Sequence, residues 1–205
     1  ISYICVQHEQ AGAMMADAYS RVKNGFAATM STSGPGATNL ITGIACSYFD
    51  SIPNIHITGQ VNLNEQRGGM PGTFGSRQIG FQETDIVSIS KPVTKKSVQL
   101  KKADDIYKVL DDLYNCANSD RKGPVLLDLP MCLQRKGVVH KKNANIKARS
   151  KKSRVIDIES VYRLLKKSSR PVILTGGGVR YSNAVKEFNS LVKALKIPVV
   201  SSWSG

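Results

Sequence analysis

Short apolar, β-branched runs alternate along the chain with longer stretches in which apolar positions recur every three or four residues. Runs of the first kind suit buried strands and those of the second suit amphipathic helices. Their alternation predicts an α/β protein, an open parallel sheet with helices on both faces. Tyr3 to Val6 predicts a buried strand, followed by a helix from about Gln10 to Lys23 on which Ala11, Met14, Met15, Ala18, Tyr19 and Val22 recur near the helical period. Asn24-Gly25 ends that helix in the manner of a C-terminal glycine. A strand at Phe26 to Met30, a tight Ser33-Gly34-Pro35-Gly36 turn and a helix from near Ala37 to about Tyr48 form the next unit.

Further strands are predicted at Asn54 to Thr58, Ser97 to Leu100 and Pro124 to Leu129, with helices just after Thr84 and from about Ala103 to Ala117. Between Gln60 and Gly80 the chain is polar and glycine-rich, the composition of a long exposed loop. Loops of that length are uncommon unless functional. A second α/β unit follows: a helix near Ile158 to Lys167, a strand at Pro171 to Leu174, a Gly176-Gly177-Gly178 turn, a helix from about Asn183 to Leu195 and a strand at Pro198 to Ser201. The expected organisation is a first domain over 1–134, a linker over 135–157 and the start of a second, Rossmann-like domain over 158–205. The chain opens and closes on β-type runs with no cap, so both domains are expected to be pieces of a longer protein.

Composition narrows the function classes. With 41% hydrophobic and 6% aromatic residues and no apolar stretch approaching the ~20 residues of a membrane span, a transmembrane role is not expected. The net charge of +14 would suggest nucleic acid if it were spread over a folded face. Instead the positive charge is concentrated from Arg135 to Arg154, without an acid or an aromatic among the residues, which suits a solvated linker; no nucleic-acid partner is expected. The four cysteines, Cys5, Cys46, Cys116 and Cys132, have neither CxxC nor metal-ligand spacing. They are expected to be reduced and mostly buried, which favours the cytoplasm, and no metal ligands are expected in this chain.

Candidate chemistry lies in turns at the carboxyl ends of predicted strands, where ligands bind in open parallel sheets. His8-Glu9-Gln10 puts a carboxylate at a strand-to-helix junction, a place where an acid also simply complements the helix dipole. Thr32 to Asn39 is a small-residue turn opening a helix, where backbone can approach a flat ligand. It is not a phosphate loop, because no Gly-Lys-Ser/Thr follows. Gly59-Gln60-Val61 and Gly80-Phe81-Gln82-Glu83-Thr84 complete the set; an aromatic and an amide adjacent in a loop equally suit a plug and a helix cap.

In combination, His8 to Gln10, Thr32 to Asn39, Tyr48 to Pro53, Thr58 to Val61, Phe81 to Val87 and Lys91 to Lys95 resemble, in order, the stretches of the pyrimidine-binding domain of thiamine-diphosphate enzymes, most closely the acetolactate synthase group. Arg170-Pro171-Val172-Ile173-Leu174 and the glycine turn extend the resemblance into that family's central domain. The resemblance implies that Glu9 is the catalytic carboxylate, hydrogen-bonded to N1′ of the cofactor's aminopyrimidine and promoting loss of the thiazolium C2 proton. Such a carboxyl is expected in a poorly hydrated pocket that raises its pKa. By the same resemblance Ser33, Gly34, Pro35, Gly36 and Asn39 lie against the cofactor, and Phe81, Gln82 and Gln60 on the substrate side.

The implied activity is a carboligase that decarboxylates a 2-keto acid such as pyruvate and transfers the two-carbon unit to a second carbonyl compound, a step of branched-chain amino acid biosynthesis. The alternatives are another thiamine-diphosphate lyase or decarboxylase of a sugar or polysaccharide pathway, and a non-catalytic family member. The cofactor set implied is thiamine diphosphate with Mg²⁺ held by a separate C-terminal domain, and FAD in some members. The partner implied is a second copy, in a homodimer or homotetramer whose site is shared between subunits, and 205 residues by themselves are expected to be inactive. Two departures stand out. Met131 occupies the place of a family lysine near the substrate entrance, and the loop Asn62 to Gly80 is longer than the group's. The glycine turn 176–178 is weak as a dinucleotide fingerprint.

Overall fold

The computed structural model describes residues 2–72, 75–139 and 156–203. It divides into two compact units, 1–150 and 151–205. Most of the basic segment expected as a linker, 140–155, lies outside the described residues.

In the first unit α1 spans Glu9–Lys23, β1 Ala27–Ser31, α2 Pro35–Asn39, α3 Ile41–Phe49, β2 Asn54–Gln60, α4 Ile86–Ser90, β3 Lys96–Gln99, α5 Ile106–Asn118, β4 Val125–Pro130 and α6 Met131–Gln134. The four strands form a wholly parallel sheet in the order β1-β2-β4-β3. Strand residues point alternately to opposite faces. Val125 and Leu127 therefore join Ile55 in one core with Leu113 and Ala117 of α5. Leu126 joins Ala13, Ala37, Leu40, Ile44 and Ile86 in a second core on the other face. Helices cover both faces, as the alternation predicts.

Helix ends follow local chemistry. His8 caps α1, its Nδ1 accepting from the Gln10 N–H at 3.2 Å. Asn24, not Gly25, takes the left-handed conformation that closes it, with φ 48°. An asparagine side chain can support that conformation by local hydrogen bonding, so glycine is not required. Asp85 caps α4 by accepting from the Ser88 N–H at 3.1 Å.

Residues 3–6 form no strand, and Tyr3 and Ile4 are 84% and 78% exposed. A β-branched run becomes a strand only when a neighbour completes its ladder, and no described strand pairs with it. The cysteines correct a second expectation: all four are free, but Cys5 and Cys46 are exposed and Cys116 and Cys132 only half-buried. The expectation rested on the usual burial of free cysteine, whereas Cys5 precedes the first helix and Cys116 and Cys132 only flank the core around Leu113.

The described residues of the 61–85 loop are tied down rather than merely exposed. Asn62 and Glu65 form a reciprocal cap around a short 3₁₀ turn. The Glu83 carboxylate accepts from the Arg67 N–H at 2.6 Å and the Ile79 N–H at 2.9 Å.

The second unit comprises α7 (Ile158–Lys167), β5 (Ile173–Thr175), α8 (Gly178–Tyr181), α9 (Val185–Leu195) and β6 (Val199–Ser201). Its two strands pair in parallel, Ile173 opposite Val199. Asp157 caps α7 by accepting from the Ser160 N–H. No described helix of either unit is long and apolar enough to cross a membrane.

Candidate functional site

The carboxyl end of β1 runs into the turn 32–36, and the first residue of α1 faces it. Gly34 adopts φ 60° and ψ −125°, a combination that strains any side-chain-bearing residue. Pro35 then occupies the first position of α2, where its missing N–H costs nothing. A Cβ on Gly34 would come within 2.7 Å of the Gln82 Cβ and 2.8 Å of the Gln82 carbonyl oxygen. The turn and the end of the long loop are thus in direct contact, with Gln82 itself at φ 58°.

Glu9 closes the group. Asn39, at the end of α2, donates from Nδ2 to Glu9 Oε2 at 3.0 Å. A Cβ on Gly36 would lie 3.2 Å from Glu9 Oε1 and 2.7 Å from Thr32 Cγ2, so only a glycine leaves that oxygen's surroundings open. A Cβ on Gly59, near the end of β2, would meet the Ser33 nitrogen at 3.6 Å, an ordinary contact with the turn. The structure therefore brings together Glu9, Ser33, Gly34, Pro35, Gly36, Asn39 and Gln82. Phe81 is 81% exposed and is not packed against them.

The electrostatics correct one expectation. The hydrogen bond from Asn39 holds the Glu9 carboxyl below the ordinary glutamate range; the Glu9 backbone N–H and His8 act the same way, and burial opposes them. Glu9 is half-buried at a helix start that favours negative charge, so the raised pKa expected of a dry pocket is absent in this chain.

Gln60 closes β2 and bonds both to the far end of the long loop and to β4. It is buried, donating from Nε2 to the Thr84 carbonyl at 2.7 Å and to Asp128 at 3.2 Å and accepting from the Val61 N–H at 3.0 Å. Met131 begins α6, partly exposed, and receives the Arg135 guanidinium on its sulfur at 3.4 Å.

Two buried polar groups escaped the sequence reading. Asp128 is 1% exposed and accepts from Thr58 Oγ1 at 2.8 Å and from Gln60 and Gln99. Burial raises its pKa, against the lowering effect of those three hydrogen bonds. His56, fully buried, meets Thr29 through Nδ1 at 2.7 Å and Asn54 Oδ1 through Nε2 at 3.0 Å, and burial pushes its pKa down to about 3. From Asn54 the chain of bonds continues through Ser47 to Asp17. The only sequence signal for either was a polar residue interrupting an apolar strand at every second position: Asn54, His56 and Thr58 in β2, and Asp128 in β4. Among the described residues no group of three or more His, Cys, Asp or Glu is arranged to hold a metal ion.

The family description "Thiamine pyrophosphate enzyme, N-terminal TPP binding domain" matches residues 1–89, and "Thiamine pyrophosphate enzyme, central domain" matches residues 158–205. The whole chain is 39% identical to the acetolactate synthase large subunit of Buchnera aphidicola subsp. Acyrthosiphon pisum, of which it covers 35%. It is 35% identical to acetolactate synthase isozyme 3 large subunit of Escherichia coli, again covering all of this chain and 35% of that protein. Against the probable acetolactate synthase large subunit of Methanocaldococcus jannaschii the identity is 37%, over 99% of this chain and 34% of the relative. The chain thus spans about a third of the length of the curated relatives it matches.

Proposed function

From the premise that the chain belongs to the thiamine pyrophosphate enzyme family, whose N-terminal and central domain descriptions together match about two thirds of it, we propose that it is the pyrimidine-side part of a carboligase resembling acetolactate synthase. The substrate is a 2-keto acid such as pyruvate, whose two-carbon unit passes to a second carbonyl compound after decarboxylation. The observation that carries this reading is Glu9 held by Asn39 beside Gly36. A side chain at position 36 would crowd the carboxylate oxygen, so the glycine leaves room there for a flat ring. These residues fit thiamine diphosphate, which when bound supplies a carbon acid able to add to a keto acid and stabilise the charge left by decarboxylation.

Within this chain, Glu9 would hold the bound group by sharing a proton with a ring nitrogen. Asn39 fixes the carboxylate's orientation through Oε2 and leaves Oε1 for the ring. Gly34 and Gly36 let the backbone of the turn lie close to the ring's face, while Ser33 and Pro35 shape its edges. Gln82, whose backbone and Cβ lie close to Gly34, would serve the substrate side, with Phe81 at the rim. Mg²⁺ and the diphosphate are assigned to a domain beyond these residues, FAD to the central domain in flavin-containing members, and the working unit to a homodimer or homotetramer in the cytoplasm. The domain limits we favour are 1–134, 135–157 and 158–205.

Met131 favours a second reading. A thioether in place of a lysine at the substrate entrance suits an acceptor less anionic than a second keto acid, as in a lyase or decarboxylase of a sugar pathway. A colour assay for acetoin or acetolactate formed from pyruvate by the full-length protein distinguishes the two. Product formation supports the carboligase; release of carbon dioxide with free aldehyde and no ligated product supports the second reading. Turnover of neither kind, in protein that binds thiamine diphosphate, would point to a non-catalytic member.

A further inference from the structure

The parallel register sets Thr58 of β2 and Gln99 of β3 on either side of Asp128 in β4. All three side chains lie on one face, because register partners in a sheet share a face. Asp128 collects hydrogen bonds from both neighbours, Thr58 Oγ1 at 2.8 Å and Gln99 Nε2 at 2.9 Å, and from Gln60 Nε2 at 3.2 Å. Each glutamine also reaches out of the sheet. Gln60 donates to the Thr84 carbonyl at 2.7 Å, and Gln99 donates to Gln66 Oε1 at 3.1 Å. Gln66 in turn donates to the Val61 carbonyl. Both ends of the 61–85 loop are therefore tied to one buried carboxylate, and between the ties the Gln82 backbone presses on Gly34.

A buried acid surrounded by neutral donors is an expensive way to stabilise a sheet, since apolar residues of similar size would fill the space without desolvating a charge. Its three acceptor bonds do what a leucine could not: they orient two glutamines outward onto a loop whose Asn62, Glu65 and Glu83 bonds run within the loop itself. We propose that Asp128 is a positioning residue, which acts through Gln60 and Gln99 to clamp the 61–85 loop and hold Gln82 against the 33–36 turn beside Glu9. The clamp is a property of this chain; its catalytic consequence rests on the carboligase reading.

The test uses the full-length protein in two arms. Amide hydrogen exchange without cofactor reads the clamp directly, at the hydrogen-bonded amides of Val61, Gly80, Glu83 and Ile86. Asp128→Leu is expected to speed exchange there at least tenfold while the amides of α5, on the other face of the sheet, change little. Asp128→Asn is expected to stay within threefold of wild type, because its oxygen can still accept from both glutamines while its amide donates to Thr58, whose hydroxyl can turn. Should the leucine variant not fold, Gln60→Met removes the ties to Thr84 and Asp128 together with the acceptor of the Val61 N–H, and is expected to loosen Gly80, Glu83 and Ile86 as well as Val61. Unchanged exchange in the leucine or methionine variant overturns the clamp, and so does an asparagine variant as loose as the leucine one.

The kinetic arm reads the consequence. The leucine or methionine variant is expected to raise KM for the keto acid about tenfold with a smaller fall in kcat, and asparagine to restore it. A loosened loop with unaltered KM overturns the positioning role. Absence of keto-acid turnover in the wild type removes the carboligase reading instead, and the exchange arm still decides the clamp.

Discussion

Asn39 and Glu9, thirty residues apart, meet at 3.0 Å where the end of one helix faces the start of another, and that contact is the largest influence on the charge of the candidate catalytic carboxylate. An amide can only donate to this oxygen, so it favours the ionised form. An ionised carboxylate can only accept, so it would pair with a ring nitrogen that already carries the proton and share that proton with it.

Asn39→Leu removes the donor, so the Glu9 pKa is expected to rise toward the ordinary glutamate value. Titration of the Glu9 carboxyl carbon by NMR follows it directly. An unchanged titration would show that the helix start by itself sets the charge.

Glu9→Gln keeps the shape and the contact with the turn but cannot share a proton in the same way. Turnover by the full-length protein is expected to fall by about 100-fold or more, the usual weight of a positioned acid or base. The thermal unfolding midpoint is expected to move little. Steady-state rates within a few-fold of wild type would remove Glu9 from the mechanism.

Gly34→Ala asks a side chain to adopt φ 60° with ψ −125° and to enter space 2.7 Å from the Gln82 Cβ. Strain and overlap together are expected to cost about 1–3 kcal/mol. Urea unfolding gives the value, and a loss of stability below a few tenths of a kcal/mol would mean that the turn and Gln82 are not in contact in solution.

His56 makes the fold sensitive to acid. Its folded pKa is about 3 and its ordinary value 6.5, so between these the unfolded chain holds a proton that the folded chain does not. Stability is therefore lost as pH falls through 6.5 toward 3, by up to about 1.4 kcal/mol per pH unit from this group. Stability curves from pH 7 to pH 4 should be measurably flatter for His56→Gln than for wild type, and parallel curves would refute the assignment.

Ser47 both accepts from Asn54 Nδ2 and donates to Asp17 in a buried relay. Ser47→Ala leaves the Asn54 amide without its acceptor, at an expected loss of about 1–3 kcal/mol. Denaturant titration is the check, and a neutral result would imply that a water takes the serine's place.

Much of this architecture was legible in the chain itself. The apolar period of α7 put that helix near Ile158 to Lys167, where it is found. The turn at 33–36 and the junction at Glu9 were marked by small residues and an acid whose local preferences need no distant partner. Order and spacing of such turns along the chain were enough to place the family.

What three dimensions decided depended on partners far away in sequence. Tyr3 to Val6 has every local property of a strand and is not one, because a strand exists only when another completes its hydrogen bonds. Nothing local to Gln60 announced Asp128, 68 positions on, as its hydrogen-bond partner; the sheet register brings the two within reach. The charge of Glu9 likewise depends first on Asn39, thirty positions on, with its own backbone N–H and His8 adding to the same effect. Propensity and periodicity act over a few residues, whereas burial and hydrogen bonding are settled by whatever the fold brings alongside, and for that reason the elements could be read from the sequence and the electrostatics of the site could not.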